Sequence, residues 1–298
     1  MTRLRADLLL LVAAALWGMA FYFQKEAMTH VGVFSFIAAR STLAALALTP
    51  LALLEHRWKT EPFSSSAWRI TGIGGLAFLV AAGLQQEAIT TATVTNTGFL
   101  TALYVVFTPL VAWGVTRSVP APLVWPAIAL SFLGIWLLGG GTLGGLSNGD
   151  RLAALSAVFW AVHVVVTGLA SRFDRPFSYT CLQFAVVGTA AGVAAAYFET
   201  PTLEGLTNAA DAILYVGLLA SAATFTILVI ALRHTTPAEA MILLSTESLF
   251  AAAAGGAFLG ERLSPLSWTG AGLIIAAVLL VQLAAWLRPR ASPAAASG

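Results

Sequence analysis

Residues 7–17 read Asp-Leu-Leu-Leu-Leu-Val-Ala-Ala-Ala-Leu-Trp, and residues 150–160 read Asp-Arg-Leu-Ala-Ala-Leu-Ser-Ala-Val-Phe-Trp. Each is an apolar run opened by an aspartate and closed by a tryptophan, and the second follows the first by 143 residues. The same offset pairs Ala88 with Ala231, Thr93 with Thr236, and Pro122-Leu123-x-Trp125 with Pro265-Leu266-x-Trp268, without a gap. Any two membrane helices share leucine and alanine, so the argument rests on the Asp, Trp and Pro positions. The chain divides into a first repeat over 1–138, a glycine-rich linker over 139–149, a second repeat over 150–287 and a tail over 288–298. The linker composition predicts a flexible connection.

The environment follows from composition. Of the 298 residues, 59% are hydrophobic and only 9% are Asp, Glu, Lys or Arg; soluble domains carry about 25% charged residues. Mean hydropathy is +0.87. Charge this sparse cannot cover a water-soluble globule, which excludes a soluble enzyme, a disordered chain and a nucleic-acid binder. The net charge of +2 implies no anionic partner. The lone Cys181 excludes an internal disulfide and a multi-cysteine metal site.

Long continuous apolar runs predict helices, because hydrocarbon offers exposed backbone groups no partner. A closed barrel would instead show alternating strands of about 10 residues. The expected spans are roughly 7–28, 33–54, 68–86, 93–115, 122–139, 150–170, 177–198, 210–232, 237–258 and 265–287. Pro122, Pro176, Pro237 and Pro265 sit near proposed starts, where a missing N–H costs least. The first span is expected to be retained rather than removed as a signal, since it lacks a small-residue cleavage site followed by polar sequence.

With the N-terminus in the cytoplasm, the cytoplasmic segments hold Arg3, Arg5, Arg57, Lys59, Arg69, Arg117, Arg172, Arg175, Arg233, Arg288 and Arg290. The opposite side holds only Lys25, Arg151 and Arg262. This positive-inside bias predicts both termini in the cytoplasm of a multi-pass inner (plasma) membrane protein. Each repeat has five spans, an odd number, so the second enters from the other side. The expected fold is therefore an all-α membrane protein of ten transmembrane helices, two inverted five-helix repeats around a central cavity. Inverted repeats are characteristic of secondary transporters, with substrate held between the halves near the midplane.

Several segments resemble the EamA-type transporters of the drug/metabolite transporter superfamily, over about residues 7–287. The closest similarity lies in Glu247-Ser-Leu-Phe-Ala and Phe258-Leu-Gly-Glu261-Arg262-Leu-Ser-Pro265. Ser248 departs from a proline common at that place. Gln85-Gln86-x-Ala88 and Thr97-Gly-Phe-Leu-Thr-Ala-Leu-Tyr-Val-Val-Phe-Thr-Pro109 look like the family's third and fourth helices, and Arg40 matches a recurrent second-helix arginine. The resemblance implies export of small metabolites, amino acids among them, with the aromatic amino-acid exporters as one branch. It implies a small-molecule substrate, and no cofactor is expected.

Polar groups inside spans are costly and need a reason. Trp17, Phe21 and Gln24 share one face of the first helix, and Trp160, His163 and Thr167 repeat that pattern in the sixth. Both tryptophans fall mid-span, away from the headgroup level where aromatic belts lie. They are read as an aromatic cavity wall with polar handles, against ordinary helix packing. His163 is read either as a satisfied core histidine or as a proton relay. Asn96 or Thr97, then Thr101, Tyr104 and Thr108, form a polar stripe that could bond neighbouring helices or line a path, and Gln85 joins the proposed cavity set. Glu247 lies mid-span, where an ionised carboxylate costs about 2.5–3.5 kcal/mol unless hydrated or paired. It could carry a proton, meet a substrate ammonium or serve structure. Arg40 could bind a carboxylate, snorkel or pin a neighbouring helix. Glu261 and Arg262 are expected to be architectural.

The segment Gly139–Gly145 lacks the lysine and context of a phosphate-binding loop, and no H-E-x-x-H or His/Cys cluster suggests a metal. Three function classes compete: a secondary carrier, a membrane-embedded lipid enzyme, and a channel or receptor. Among carriers, drug, nucleoside or sugar substrates stand as alternatives. The enzyme would need clustered carboxylates, His or Ser near the headgroups, and the channel a ring of charges or a filter loop. The residues favour a carrier. Two halves suffice to enclose a cavity, so a monomer is expected.

Overall fold

The computed structural model describes residues 1–59, 61–117, 122–138, 140–141, 147–262 and 264–287. The described residues form helices and connections, without strands. The first repeat contains α1 (Arg3–Ala27), α2 (Val33–Trp58), α3 (Ser65–Thr91), α4 (Val94–Thr101), α5 (Tyr104–Thr116) and α6 (Val124–Leu138). The second contains α7 (Asn148–Ala170), α8 (Pro176–Phe198), the short α9 (Leu203–Asn208), α10 (Ala210–Leu214), α11 (Thr224–Ala231), α12 (Pro237–Leu244), α13 (Glu247–Leu259) and α14 (Pro265–Leu287). Eight helical segments are long and apolar enough to span a bilayer, and Val124–Leu137 and Pro265–Leu280 are shorter apolar helices. Together they make the ten-helix architecture of two inverted repeats.

Local signals set the helix ends. Thr2, Ser64 and Thr93 each accept a backbone N–H at the start of α1, α3 and α4. Ser147 with Asp150, and Thr236 with Glu239, form capping boxes at α7 and α12. The linker begins with a firm stop: Gly140 and Gly141 adopt φ of 94° and 68°, and their N–H groups return to Leu137 and Trp136 at 3.0 Å. This is a Schellman-type end that a side chain would strain. The remaining linker expected at 139 and 142–146, and the tail at 288–298, lie outside the described residues.

Two expected spans are interrupted. The fourth breaks at Ala102–Leu103 and the ninth at Ser245–Thr246, positions 143 apart. In both, N–H groups turn back three residues: Leu103 to Leu100 and Val105 to Ala102, Thr246 to Leu243 and Ser248 to Ser245. A mid-membrane 3₁₀ turn tightens the helix and redirects it. The eighth span carries a π-helical segment over Tyr215–Ala223. Helices α2 and α3 also run past their expected ends, to Trp58 and Thr91.

The most extensive packing joins α2 to α8, α3 to α7 and α6 to α14. Small residues allow the close approaches. A Cβ added at Gly134 of α6 would lie 2.7 Å from the Gly270 carbonyl oxygen of α14. Large apolar side chains such as Leu46, Leu76 and Leu279 are exposed on the outer surface of the bundle, where hydrocarbon covers them in a membrane. Trp58, Trp68, Trp125 and Trp268 are exposed near helix ends, as an interfacial belt requires. Trp160 is buried.

The helix ends at the side away from the N-terminus are held by charged side chains. Lys25 Nζ donates to the carbonyls of Ile89, Thr90 and Ala92 at 2.7, 3.2 and 3.0 Å, closing the end of α3. Glu261 accepts the N–H groups of Val94 and Thr95, each at 3.0 Å, at the start of α4. An anionic acceptor at a helix N-terminus is favourable on hydrogen-bonding and dipole grounds. Glu261 is architectural, as expected.

Candidate functional site

A cavity lies between the repeats. At its centre it takes both members of three pairs related by the 143-residue offset: Trp17 with Trp160, Phe21 with Val164, and Tyr104 with Glu247. The tryptophans flank Phe225, with ring centroids 4.9 Å and 6.0 Å away. Trp17 is oriented by its indole N–H, which donates to Ala220 O at 2.9 Å and Thr224 Oγ1 at 2.7 Å. Beneath them Phe78 meets Trp160 and Phe225 edge-on at 5.1 and 5.0 Å.

From this floor the cavity extends toward the side away from the N-terminus. Gln24, three residues before the end of α1, lines it, as do Arg40 near the start of α2 and Gln85 near the end of α3. The Gln85 amide donates to Thr101 Oγ1 at 3.1 Å. Thr101 ends α4 and Tyr104 begins α5, so the break at 102–103 delivers both to the cavity. The matching break places Glu247 at the first position of α13, where the helix N-terminus favours a negative charge. Discontinuous helices facing a midplane cavity are the usual way transporters build a binding site.

A guanidinium and a carboxyl face this space, and no ion pair joins them. Arg40 is 4% exposed. Among the described residues its polar contact is a long bond from Nη1 to Ser221 Oγ at 3.4 Å, and Nε has no partner there. The guanidinium lies over the Phe36 and Phe78 rings at 5.9 and 5.6 Å. Glu247 is 3% exposed, and its Oε1 has no hydrogen-bond partner among the described residues. Its carboxyl and the phenol of its repeat mate Tyr104 line the same cavity. A buried guanidinium and a buried carboxyl, neither with a counter-charge among the described residues, thus line one cavity.

Nine residues singled out from sequence meet here: Trp17, Phe21, Gln24, Arg40, Gln85, Thr101, Tyr104, Trp160 and Glu247. Four expected cavity residues do not line it. Asn96 Nδ2 donates to Asp150 Oδ1 at 3.2 Å, and Thr97 Oγ1 returns to the Thr93 carbonyl at 2.8 Å. The stripe drawn from Asn96 to Thr108 assumed one continuous helix, and the turn at 102–103 splits it; Thr108 bonds the Tyr104 carbonyl at 2.7 Å. His163 and Thr167 lie below the floor. His163 Nε2 is 3.0 Å from Gln183 Oε1 and 3.4 Å from Thr167 Oγ1, which is 3.2 Å from Tyr179 Oη. The sequence reading missed Phe225, Met241, Val216, Ala220, Val164 and Ala20. Their apolar surroundings give no distinguishing signal. The repeat does not find Phe225 either, since its mate is Ala82. Among the described residues no group of three or more His, Cys, Asp or Glu is placed to hold a metal ion.

The chain matches the model of the EamA-like transporter family twice, over residues 4–140 and 147–283. It is 29% identical over 282 residues to an uncharacterized transporter of Archaeoglobus fulgidus, covering 94% of this chain and 87% of that protein. It is 24% identical over 295 residues to the uncharacterized transporter YwfM of Bacillus subtilis, covering 93% of this chain and 94% of that one. A solved structure described as "Crystal structure of protein" superimposes with a TM-score of 0.76 at 18% identity, covering 96% of this chain and 99% of the other, and so shares the fold. Two family matches, one for each five-helix half, account for nearly all of the sequence: the chain belongs to the EamA-like transporter family, and it is a multi-pass membrane transporter.

Proposed function

We propose that this transporter is a secondary carrier for small zwitterionic metabolites, amino acids with apolar or aromatic side chains foremost, and that it exports them across a bacterial inner membrane by alternating access. The observation that carries this reading is the pair Arg40 and Glu247, a buried guanidinium and a buried carboxyl, neither in an ion pair among the described residues, lining one aromatic-walled cavity. An α-amino acid presents a carboxylate for Arg40 and an ammonium for Glu247, while Trp17, Trp160 and Phe225 offer apolar faces to its side chain. Both termini lie in the cytoplasm on this reading, because Lys and Arg concentrate at that end. The protein works as a monomer, since one chain encloses the cavity.

The test is uptake of radiolabelled Phe, Trp, Leu, Thr and Ala by proteoliposomes, with counter-flow to distinguish a carrier from a channel. Saturable Phe and Trp flux stimulated by counter-substrate is expected. Arg40→Gln and Glu247→Gln should each raise KM by about 10–100-fold, the worth of one charge-assisted hydrogen bond. Unchanged KM in both variants, or no amino-acid flux in the parent protein, would overturn the reading. Labelling of Leu203→Cys from outside and Glu61→Cys from inside tests the orientation.

A further inference from the structure

Beyond its three central pairs, the cavity is one-sided. It is lined by Ala20, Gln24 and Arg40. Their mates at the 143-residue offset are His163, Thr167 and Gln183, and none of these lines it. The mates form a closed cluster at the other end of the bundle. His163 stands where the first repeat has only Ala20, and Tyr179 where it has Phe36, while Thr167 and Gln183 are shorter than their mates Gln24 and Arg40. Hydrogen bonds tie the cluster together: His163 to Gln183 at 3.0 Å, and Thr167 to Tyr179 at 3.2 Å. The Phe78, Trp160 and Phe225 rings seal it from the cavity at 5.5, 5.7 and 5.5 Å from the imidazole. One valence is left over: His163 is 0% exposed, and its Nδ1 has no hydrogen-bond partner among the described residues.

We propose that His163, Thr167, Tyr179 and Gln183 are the closed cytoplasmic counterpart of the open site, and that they become a substrate-loading subsite when the two repeats exchange conformations. The proposal rests on the carrier reading above. Inverted repeats alternate by rocking one half against the other, and on this proposal each half then takes up the arrangement the other shows here. In the exchanged state Ala20, Gln24 and Arg40 close, and their mates face a cytoplasmic vestibule. The subsite is neutral. Gln183 stands in the place of Arg40, so the amide, the hydroxyls and the freed imidazole nitrogen would meet the substrate's polar end without a full charge. Substrate would thus be loaded weakly from the cytoplasm and then pass to the charged pair.

The experiment uses the full-length protein carrying Cys181→Ser, with Thr167→Cys or Gln183→Cys on the closed side and Gln24→Cys on the open side. A membrane-impermeant thiol reagent is applied to vesicles of each orientation. Position 24 is expected to react from the outer face only, and positions 167 and 183 from the cytoplasmic face only. Phenylalanine at about ten times its Kd on the cytoplasmic face should slow the latter about tenfold, following the unoccupied fraction. Should one closed-side variant fail to insert, the other decides. Silence of the closed-side positions from both faces, in a variant that still transports, would overturn the proposal and make the cluster permanent core. Reaction without protection, where phenylalanine flux is measured, would overturn the subsite. Cytoplasmic reaction with no amino-acid flux at all would support the opening of the cluster and instead sink the amino-acid reading.

Discussion

Glu55 and Glu199 each cap the helix that bears the other. Glu55, near the end of α2, accepts the N–H groups of Phe177 and Ser178 at 3.2 and 2.7 Å at the start of α8. Glu199, just past the end of α8, accepts those of Phe34 and Ser35, both at 2.8 Å, at the start of α2. The two Phe-Ser dipeptides are 143 residues apart, and the two glutamates 144. The helices are therefore antiparallel and locked at both ends, which is how an inverted repeat with this sequence holds its halves together.

Replacing either glutamate by alanine strips two N–H groups of their anionic acceptor. Each of Glu55→Ala and Glu199→Ala should cost about 2 kcal/mol of stability. Along α2 the Glu199 site at Ser35 and the other at Glu55 lie about 30 Å apart, so the double variant should be additive within about 0.5 kcal/mol. Thermal unfolding in detergent measures this; clear non-additivity would show that the two ends are coupled.

Trp17 serves the cavity with both its ring and its N–H. Trp17→Ala should lower substrate flux about tenfold or more, having lost an aromatic pair and hydrogen bonds worth about 0.5–1.5 kcal/mol each. Trp17→Phe keeps a ring against Phe225 and should fall between. Gel filtration and initial rates in liposomes separate misfolding from lost transport. Unchanged kinetics in Trp17→Ala and Trp160→Ala together would remove the aromatic wall from the mechanism.

Helix α1 approaches α13 at Gly18, where an added Cβ would lie 2.3 Å from Phe250 Cβ and 2.6 Å from the Glu247 carbonyl oxygen. Gly18→Ala should destabilise by about 1–3 kcal/mol through overpacking and impair transport by shifting the break that presents Glu247. Gly72→Ala is the control. Nothing lies within 4 Å of its Cβ, and better helix propensity should leave the protein as stable or up to about 1 kcal/mol more so.

Asp174 links three connections, pairing with Lys59 and with Arg233. The hydrogen bond from Lys59 foremost, with Arg233 adding to it, holds its carboxyl below the ordinary aspartate range. A lowered value means that the carboxylate's contribution is present above the unfolded value of about 3.9. The contribution is lost as pH falls through the lower folded value. All three side chains are more than a third exposed, so the effect should stay below about 1 kcal/mol. The melting-temperature difference between parent and Asp174→Asn should be constant from pH 7 to about 5 and vanish at lower pH; a difference that grows on acidification would contradict it.

The sequence by itself determined the solvent, the helix class and the symmetry. Charge too sparse for water, apolar runs of bilayer length and the paired Asp-to-Trp and Pro-Leu-x-Trp intervals are one-dimensional signals. So was most of the site, because Trp17, Arg40, Tyr104, Trp160 and Glu247 are costly or unusual inside a span wherever the chain folds. Tertiary structure alone decided the rest. Continuous periodicity could not show the breaks at 102–103 and 245–246, since those turns use i−3 bonds between ordinary helix formers, without a proline at the break. Nor could it say that Ala20 faces open space while its mate His163 is sealed among rings. The two repeats are alike in sequence pattern, and which half closes is a property of their packing together.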